Sequence, residues 1–291
     1  MSVIKEFNLK SVPGYKIMCE SYNSAADVVE DCKKRAITNN KYFNNMADGT
    51  LGGHDKDWCG VDSYKQALKY LEKGYQPIVD KLKFAIKSNL QGQGKRISFN
   101  NDIVGYAPIV PLAIMGVPTA MVNTYIKPIK SKVIDVYYDG TFSCGVKSDD
   151  IIKTGAKVIS VILQLEQQGY RFNLYQVQSY SDKEDCDMLC VKIKDSMQPI
   201  DLKRISFPLT HTGFSRVIGF DWYSKTPKGK YRACYGHALC HEGKVNDKLG
   251  DVFKEMFGGN AVYISGNKLW RKGDDGGKYL QGVFTKCGQK A

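Results

Sequence analysis

At 291 residues, 43% of them hydrophobic, the chain is long enough to bury one large core or two modest ones. Its nine cysteines, an odd number scattered over a long chain, argue against a compact disulfide scaffold and predict reduced thiols in a cytosolic compartment. No apolar run reaches the ~18 residues of a membrane-crossing helix, so no membrane partner is expected. The formal charge of +12 predicts solubility and favours an acidic partner, nucleic acid among them.

The first ten residues lack the basic-then-apolar pattern of a signal peptide. Residues 1–57 read as peripheral. Ala25–Ala36 carries Val28, Val29 and Cys32 on one helical face, with Ser24 or Asn23 as N-cap. Thr38–Gly53 is an aperiodic Asn- and Gly-rich loop. Trp58 then plugs a helical hairpin. Its first helix bears Ala67, Leu68, Tyr70 and Leu71 and stops at Gly74; its second follows Pro77 with Ile78, Val79, Leu82 and Ile86. Gln91–Arg96 has Gly-x-Gly before Lys-Arg but lacks phosphate-loop spacing, and reads as a solvated turn. Ile97–Ile103 is a strand candidate, and Gly116-Val117-Pro118 divides two short apolar elements within Ile109–Met121.

Lys132–Val177 organises the rest. Val133–Tyr138 is a β-branched and aromatic run broken by the turn residues Asp139–Ser143. Apolar residues from Ile151 to Leu165 recur at helical spacing, Gly169 stops them, and Tyr170–Val177 resumes strand composition, which makes a βαβ unit. Asp182, Glu184, Asp185 and Asp187 read as a solvated acidic loop, and Met188–Ile193 as a strand. A helix is expected within Ser206–Tyr223, entered near Thr210 or Thr212. Another covers Lys244–Phe257, with a strand over Ala261–Ile264 and at most a hairpin in the Gly-rich, basic 265–291. The expected division is an N-terminal helical and irregular region (1–130) and an α/β domain (131–291).

Three constellations bear on chemistry. Cys234, His237, Cys240 and His241 have zinc-ligand types, but no second ligand couple follows at the usual spacing, and buried thiols beside surface histidines are the plainer reading. Neither a G-x-S-x-G elbow nor an H-E-x-x-H helix is present. Among the basic runs (Lys127–Lys132, Lys225–Arg232 and Lys268–Lys272), the last joins Lys268, Arg271 and Lys272 to Trp270 in a Gly-flanked loop, the composition of a nucleic-acid-stacking surface.

Val133–Val177, with Asp139-Gly140-Thr141-Phe142-Ser143 and the helix end Leu-Glu-x-x-Gly-Tyr, resembles the first half of a von Willebrand factor A-like domain. The resemblance implies a Rossmann-type, three-layer α/β sheet preceded by the small helical region. It also implies a divalent cation, Mg²⁺ by the hardness of its oxygen donors, held by Asp139, Thr141 and Ser143 with Thr210 or Thr212. The sequence departs from that pattern after Ile264, where Ser265-Gly266-Asn267 stands in place of a further carboxylate. The phrases Trp-x-Gly-Val-x-Ser-Tyr-x-x-Ala-Leu from Trp58 and Gly-Val-Pro-x-x-Met from Gly116 resemble an uncharacterised phage-encoded family. That family supplies a phage setting and no mechanism; the function expected is a non-enzymatic binding or assembly protein working through the α/β domain on a protein partner, in the host cytoplasm or associated with the virion. The alternatives are a nucleic-acid-associated factor using the basic loops and a metal-dependent enzyme.

Overall fold

The computed structural model describes residues 2–34, 58–89, 98–125, 133–143, 145–227 and 237–288. The Thr38–Gly53 loop, the Gln91–Arg96 turn, the Lys127–Lys132 run and Cys234 lie outside the described residues. In chain order the elements begin with β1 (Ser2–Asn8), β2 (Lys16–Tyr22) and α1 (Ala25–Lys34). The helical hairpin follows as α2 (Tyr64–Lys73) and α3 (Val79–Asn89), and then β3 (Ser98–Asp102), β4 (Ala107–Pro108), α4 (Val110–Ile114) and β5 (Met121–Tyr125). The central unit is β6 (Val133–Asp139), α5 (Ser148–Gln167) and β7 (Arg171–Ser181). After it come β8 (Asp185–Lys194), α6 (Leu202–Thr210), a π-turn over Phe214–Gly219 and α7 (Phe220–Ser224). The chain closes with α8 (Gly243–Asn246), α9 (Leu249–Phe257), β9 (Ala261–Ser265), α10 (Gly266–Arg271) and α11 (Gly276–Gly288).

These elements build a mixed α/β fold around a six-stranded sheet of order β1-β2-β8-β7-β6-β9. The βαβ unit forms as its pattern dictates, with β6 parallel to β7 on one side and to β9 on the other. Alternation along β6 sends Ile134, Val136 and Tyr138 to one face and Tyr137 to the other. The first face is covered by α5, α6, α10 and α11, and the second by α9 with the segment Ala238–Leu249. Helices α5 and α6 touch through Gly155, where a β-carbon would lie 2.8 Å from the Leu209 carbonyl oxygen. A larger residue would force the helices apart. At the far end of α5 the buried Lys194 ammonium meets Glu166 at 2.8 Å and tethers the helix to β8.

Three expectations are corrected. Residues 1–57 are not wholly peripheral: β2 is an interior strand, parallel to β8 across the expected 130/131 division. Its pattern is hidden because the buried Glu20 occupies a core position, where Trp222 Nε1 and Tyr22 OH donate to its two oxygens at 2.6 and 2.9 Å. The expected Ser206–Tyr223 helix is three pieces. Asp201 caps its true start, accepting from Lys203 N and Arg204 N, and His211 in extended conformation interrupts it. In place of the expected hairpin, the described part of 265–291 holds the helices α10 and α11, the first started by the Ser265 hydroxyl, which accepts from Lys268 N.

Removing residues 1–22 should therefore abolish cooperative unfolding or leave the chain insoluble, because Met188, Leu189, Cys190 and Val191 on β8 are all buried beside β2. A soluble truncated chain with an unchanged denaturant midpoint would show that the sheet stands without them.

Candidate binding cleft

Strand β6 leads through α5 to β7 on one side, while β9 lies on its other side, so the strand order reverses at its carboxyl end. Open α/β sheets leave a crevice at such a point. Here the crevice opens toward α5 and α6. Its outer part, about 330 Å³, is lined by Gly60, Tyr75, Ile78, Lys81, Ile152 and Thr210. Its narrow inner part is lined by Gly140, Phe142, Gln176, Gln178, Ser215 and Arg216. His211 and Thr212 border both.

The inner floor is polar because β7 carries Gln176 and Gln178 at i and i+2 on the face that otherwise holds Phe172, Leu174 and Tyr180. Both are buried, at 1% and 0% exposure. Gln178 Oε1 accepts from Ser215 Oγ at 2.8 Å and from Thr141 Oγ1 at 3.4 Å. Gln178 Nε2 and Gln176 Oε1 have no protein partner. Such a buried donor or acceptor costs about 1–3 kcal/mol until something satisfies it. The π-turn presents Ser215 and Arg216 to this floor. The Arg216 guanidinium donates to Trp58 O at 2.6 Å and to Val146 O at 3.3 Å, and lies 4.4 Å from the centre of the Trp58 ring.

His211 divides the two parts. Its Nδ1 accepts from Gly213 N at 2.9 Å, and its ring meets Tyr75 edge-on at 4.7 Å. Gly60 passes close by with φ +71°, and a β-carbon there would sit 3.0 Å from both His211 Cε1 and Thr212 Oγ1. Only glycine fits both the dihedral and the approach. Burial lowers the His211 pKa to about 4, so the ring is neutral at physiological pH.

Of the oxygens expected to hold Mg²⁺, those of Asp139, Thr141, Thr210 and Thr212 are engaged with the protein. The Asp139 carboxylate is buried and accepts from Thr141 N at 3.0 Å, Ser179 Oγ at 2.6 Å and Tyr263 OH at 2.7 Å. Burial raises its pKa. Thr141 Oγ1 accepts from Ser179 N, and Thr210 Oγ1 donates to Ser206 O within α6. Thr212 Oγ1 donates to Cys59 O, and Ser143 is exposed. Asp139 faces the α9 side of the sheet with Tyr263, whereas Thr210 lines the cleft on the α5 side. Asp139 is hydrogen-bonded as a structural carboxylate, and the set does not fit a cation in this arrangement. In place of the further carboxylate, Asn267 Nδ2 donates to Thr141 O at 2.7 Å.

Lys268–Arg271 lie on α10 rather than in a loop. Lys268 Nζ donates to Asn246 O, Trp270 Nε1 to Asp150 Oδ2, and Arg271 pairs with His241 Nε2. Arg271 and Lys272 are exposed. Of the Cys/His constellation, Cys240 is buried while His237 and His241 are exposed. Of the acidic residues expected to form a loop, Asp187 lies within β8, is buried and accepts from Thr226 Oγ1 at 2.8 Å. The sequence reading missed Gln176, Gln178, His211, Ser215 and Arg216. The two glutamines carried a signal, alternate amides inside a buried strand; the others are set by the π-turn and the end of α6.

A family model, that of a domain of unknown function (DUF7192), matches residues 6–291. No curated protein and no solved structure matches the chain.

Asp139→Ala should lower stability by about 2–4 kcal/mol in chelator-treated protein, because three buried donors lose their acceptor. Added Mg²⁺ should leave the wild-type Tm flat; a Tm rise that Asp139→Ala removes would reassign the carboxylate to a metal. His211 titrates below its ordinary 6.5, so the folded state binds fewer protons than the unfolded chain between that value and about 4. Its contribution is present above pH 6.5 and is lost as pH falls through about 4. Relative to wild type, His211→Asn should regain on the order of 2–3 kcal/mol across that window, since its amide oxygen keeps an acceptor for Gly213 N. Asp139 is common to both proteins, so its opposite titration cancels in the difference. Parallel stability curves would sink the assignment.

Proposed function

The chain belongs to the DUF7192 family, and from that premise we propose a non-enzymatic binding protein whose recognition site is the cleft at the carboxyl end of β6 and β7. The observation that carries this reading is the pair of buried amide groups, Gln176 Oε1 and Gln178 Nε2, that lack a partner at the floor of a cleft. The outer walls pair apolar Tyr75, Ile78 and Ile152 with one cation, Lys81. An apolar cleft with a few convergent polar groups suits an inserted side chain or loop of a protein partner.

Three buried thiols and His211 support binding over catalysis. Burial raises Cys19 to about 11 and holds Cys186 and Cys190 well above the usual thiol range, so they carry no thiolate at neutral pH. His211, at about 4, is too weak a base for general catalysis near neutrality.

The finer reading is a von Willebrand A-like domain in a phage-encoded binding or assembly protein, acting in the host cytoplasm or on the virion. Its support is the strand order β8-β7-β6-β9 with only β8 antiparallel to its β7 neighbour, and the Asp139-x-Thr141-x-Ser143 loop directly after β6. The phage setting rests on the phrases from Trp58 and Gly116. Nucleic acid is the second reading, favoured by the exposed Arg271 and Lys272 on α10.

A photo-crosslinking residue at Lys81, on the cleft rim, should give a discrete protein adduct in the host cell. The same residue at Met197, 89% exposed beside the opening of β7, should give none. Gln178→Leu should weaken the adduct about tenfold if one hydrogen bond at the floor is lost. Equal yields from both positions, or an adduct with nucleic acid alone, would defeat the reading.

A further inference from the structure

The groups at the cleft floor select which side chain of a protein partner enters. Gln178 Oε1 accepts from Ser215 Oγ and Thr141 Oγ1, which turns Nε2 to the cleft as an open donor. Gln176 Oε1 beside it is an open acceptor. The two amides converge: a β-carbon at Gly140 would press on Gln176 Nε2 and lie 3.2 Å from Gln178 Nε2. The space at this floor is about 10 Å³, room for one water-sized group. The other walls of this inner part include Phe142, Ile151 and Leu209, and the Arg216 guanidinium donates to Trp58 O and Val146 O.

One atom that both donates and accepts satisfies both amides, and a hydroxyl is the side-chain group that does so. An ionised carboxylate only accepts, ammonium and indole groups only donate, and a carboxamide divides the two roles between separate atoms. Beyond the floor the cleft widens to about 330 Å³ between Tyr75, Ile78 and Ile152, walls suited to a ring. Serine and threonine leave those walls empty. We propose that the partner inserts a tyrosine, its ring between the outer walls and its phenol oxygen accepting from Gln178 Nε2 and donating to Gln176 Oε1. This rests on the cleft being the recognition site. Tyrosine joins an apolar body to a polar tip, and for that reason recurs at the centre of protein interfaces. A phosphate on that oxygen has no room at the floor, so phosphorylation of the partner's tyrosine would exclude it.

Calorimetric titration of the full chain with N-acetyl-tyrosinamide, N-acetyl-phenylalaninamide and the O-phosphorylated tyrosinamide tests this. The tyrosine amide should bind about tenfold or more tighter than the phenylalanine amide, which leaves both buried amides unpaired. It should also bind about tenfold or more tighter than its phosphate ester. Gln176→Leu removes an acceptor that has no partner, so the variant should keep the wild-type Tm or raise it. In that variant the preference for tyrosine over phenylalanine should fall to about threefold or less. No binding of the tyrosine amide, equal binding of the tyrosine and phenylalanine amides by wild type, tighter binding of the phosphate ester, or an unchanged preference in Gln176→Leu overturns the proposal. The titrations need no partner, so a Lys81 adduct that forms in the cell while the tyrosine and phenylalanine amides bind alike overturns the tyrosine alone and leaves the cleft as the recognition site. Absence of that adduct overturns both.

Discussion

The Asp139 carboxylate is the point on which the carboxyl end of the sheet depends. It closes β6, takes the Ser179 hydroxyl from β7 and the Tyr263 hydroxyl from β9, and so joins three parallel strands where their ladders end. Ser179 Oγ also accepts from Leu239 N, which extends the tie to the segment covering that face. A carboxyl group buried this completely is retained where donors surround it. Its three hydrogen bonds fix the direction in which the chain leaves β6, and the loop from Gly140 that borders the cleft starts there.

The opposite face of the same strand ends is organised by a polar row between two apolar clusters. Phe172 and Leu174 belong to the core under α5, and Tyr180 to the core under α1, α2 and the π-turn. Gln176 and Gln178 fall between them. Apolar residues there would merge the two cores; amides keep a seam open that α6 and the π-turn border but do not fill. The one-residue widening of a π-turn re-aims side chains, and here it sends Ser215 to Gln178 and Arg216 to the Trp58 carbonyl. Arg216 thereby links the cleft to Trp58, which is half-buried against that core and sandwiched by Arg216 and Phe220.

Two sets of buried polar groups differ in how fully they are satisfied. Where the polar groups are saturated, as at Asp139 and at Glu20 with Trp222 and Tyr22, they hold elements together. At Gln176 and Gln178 two groups are left open, and these face the cleft. The two cases differ in hydrogen-bond satisfaction and not in burial, since Asp139 and Gln178 are equally inaccessible.

Local pattern by itself determined the βαβ unit, the helical hairpin with its Gly74 stop, and strands β8 and β9, because each rests on a local period or stop signal. It also placed Asp139 at a strand end. It did not show that β2 is interior, because β2 buries Glu20 and is paired with a strand more than 160 residues away. Nor did it show the cleft. Gln178 meets Ser215 across 37 residues and Arg216 meets Trp58 across 158, so neither contact leaves a local signature. The turn motif supplies the Asp139 oxygens, but the donors they accept from, Ser179 and Tyr263, are brought in by neighbouring strands and leave no local signature.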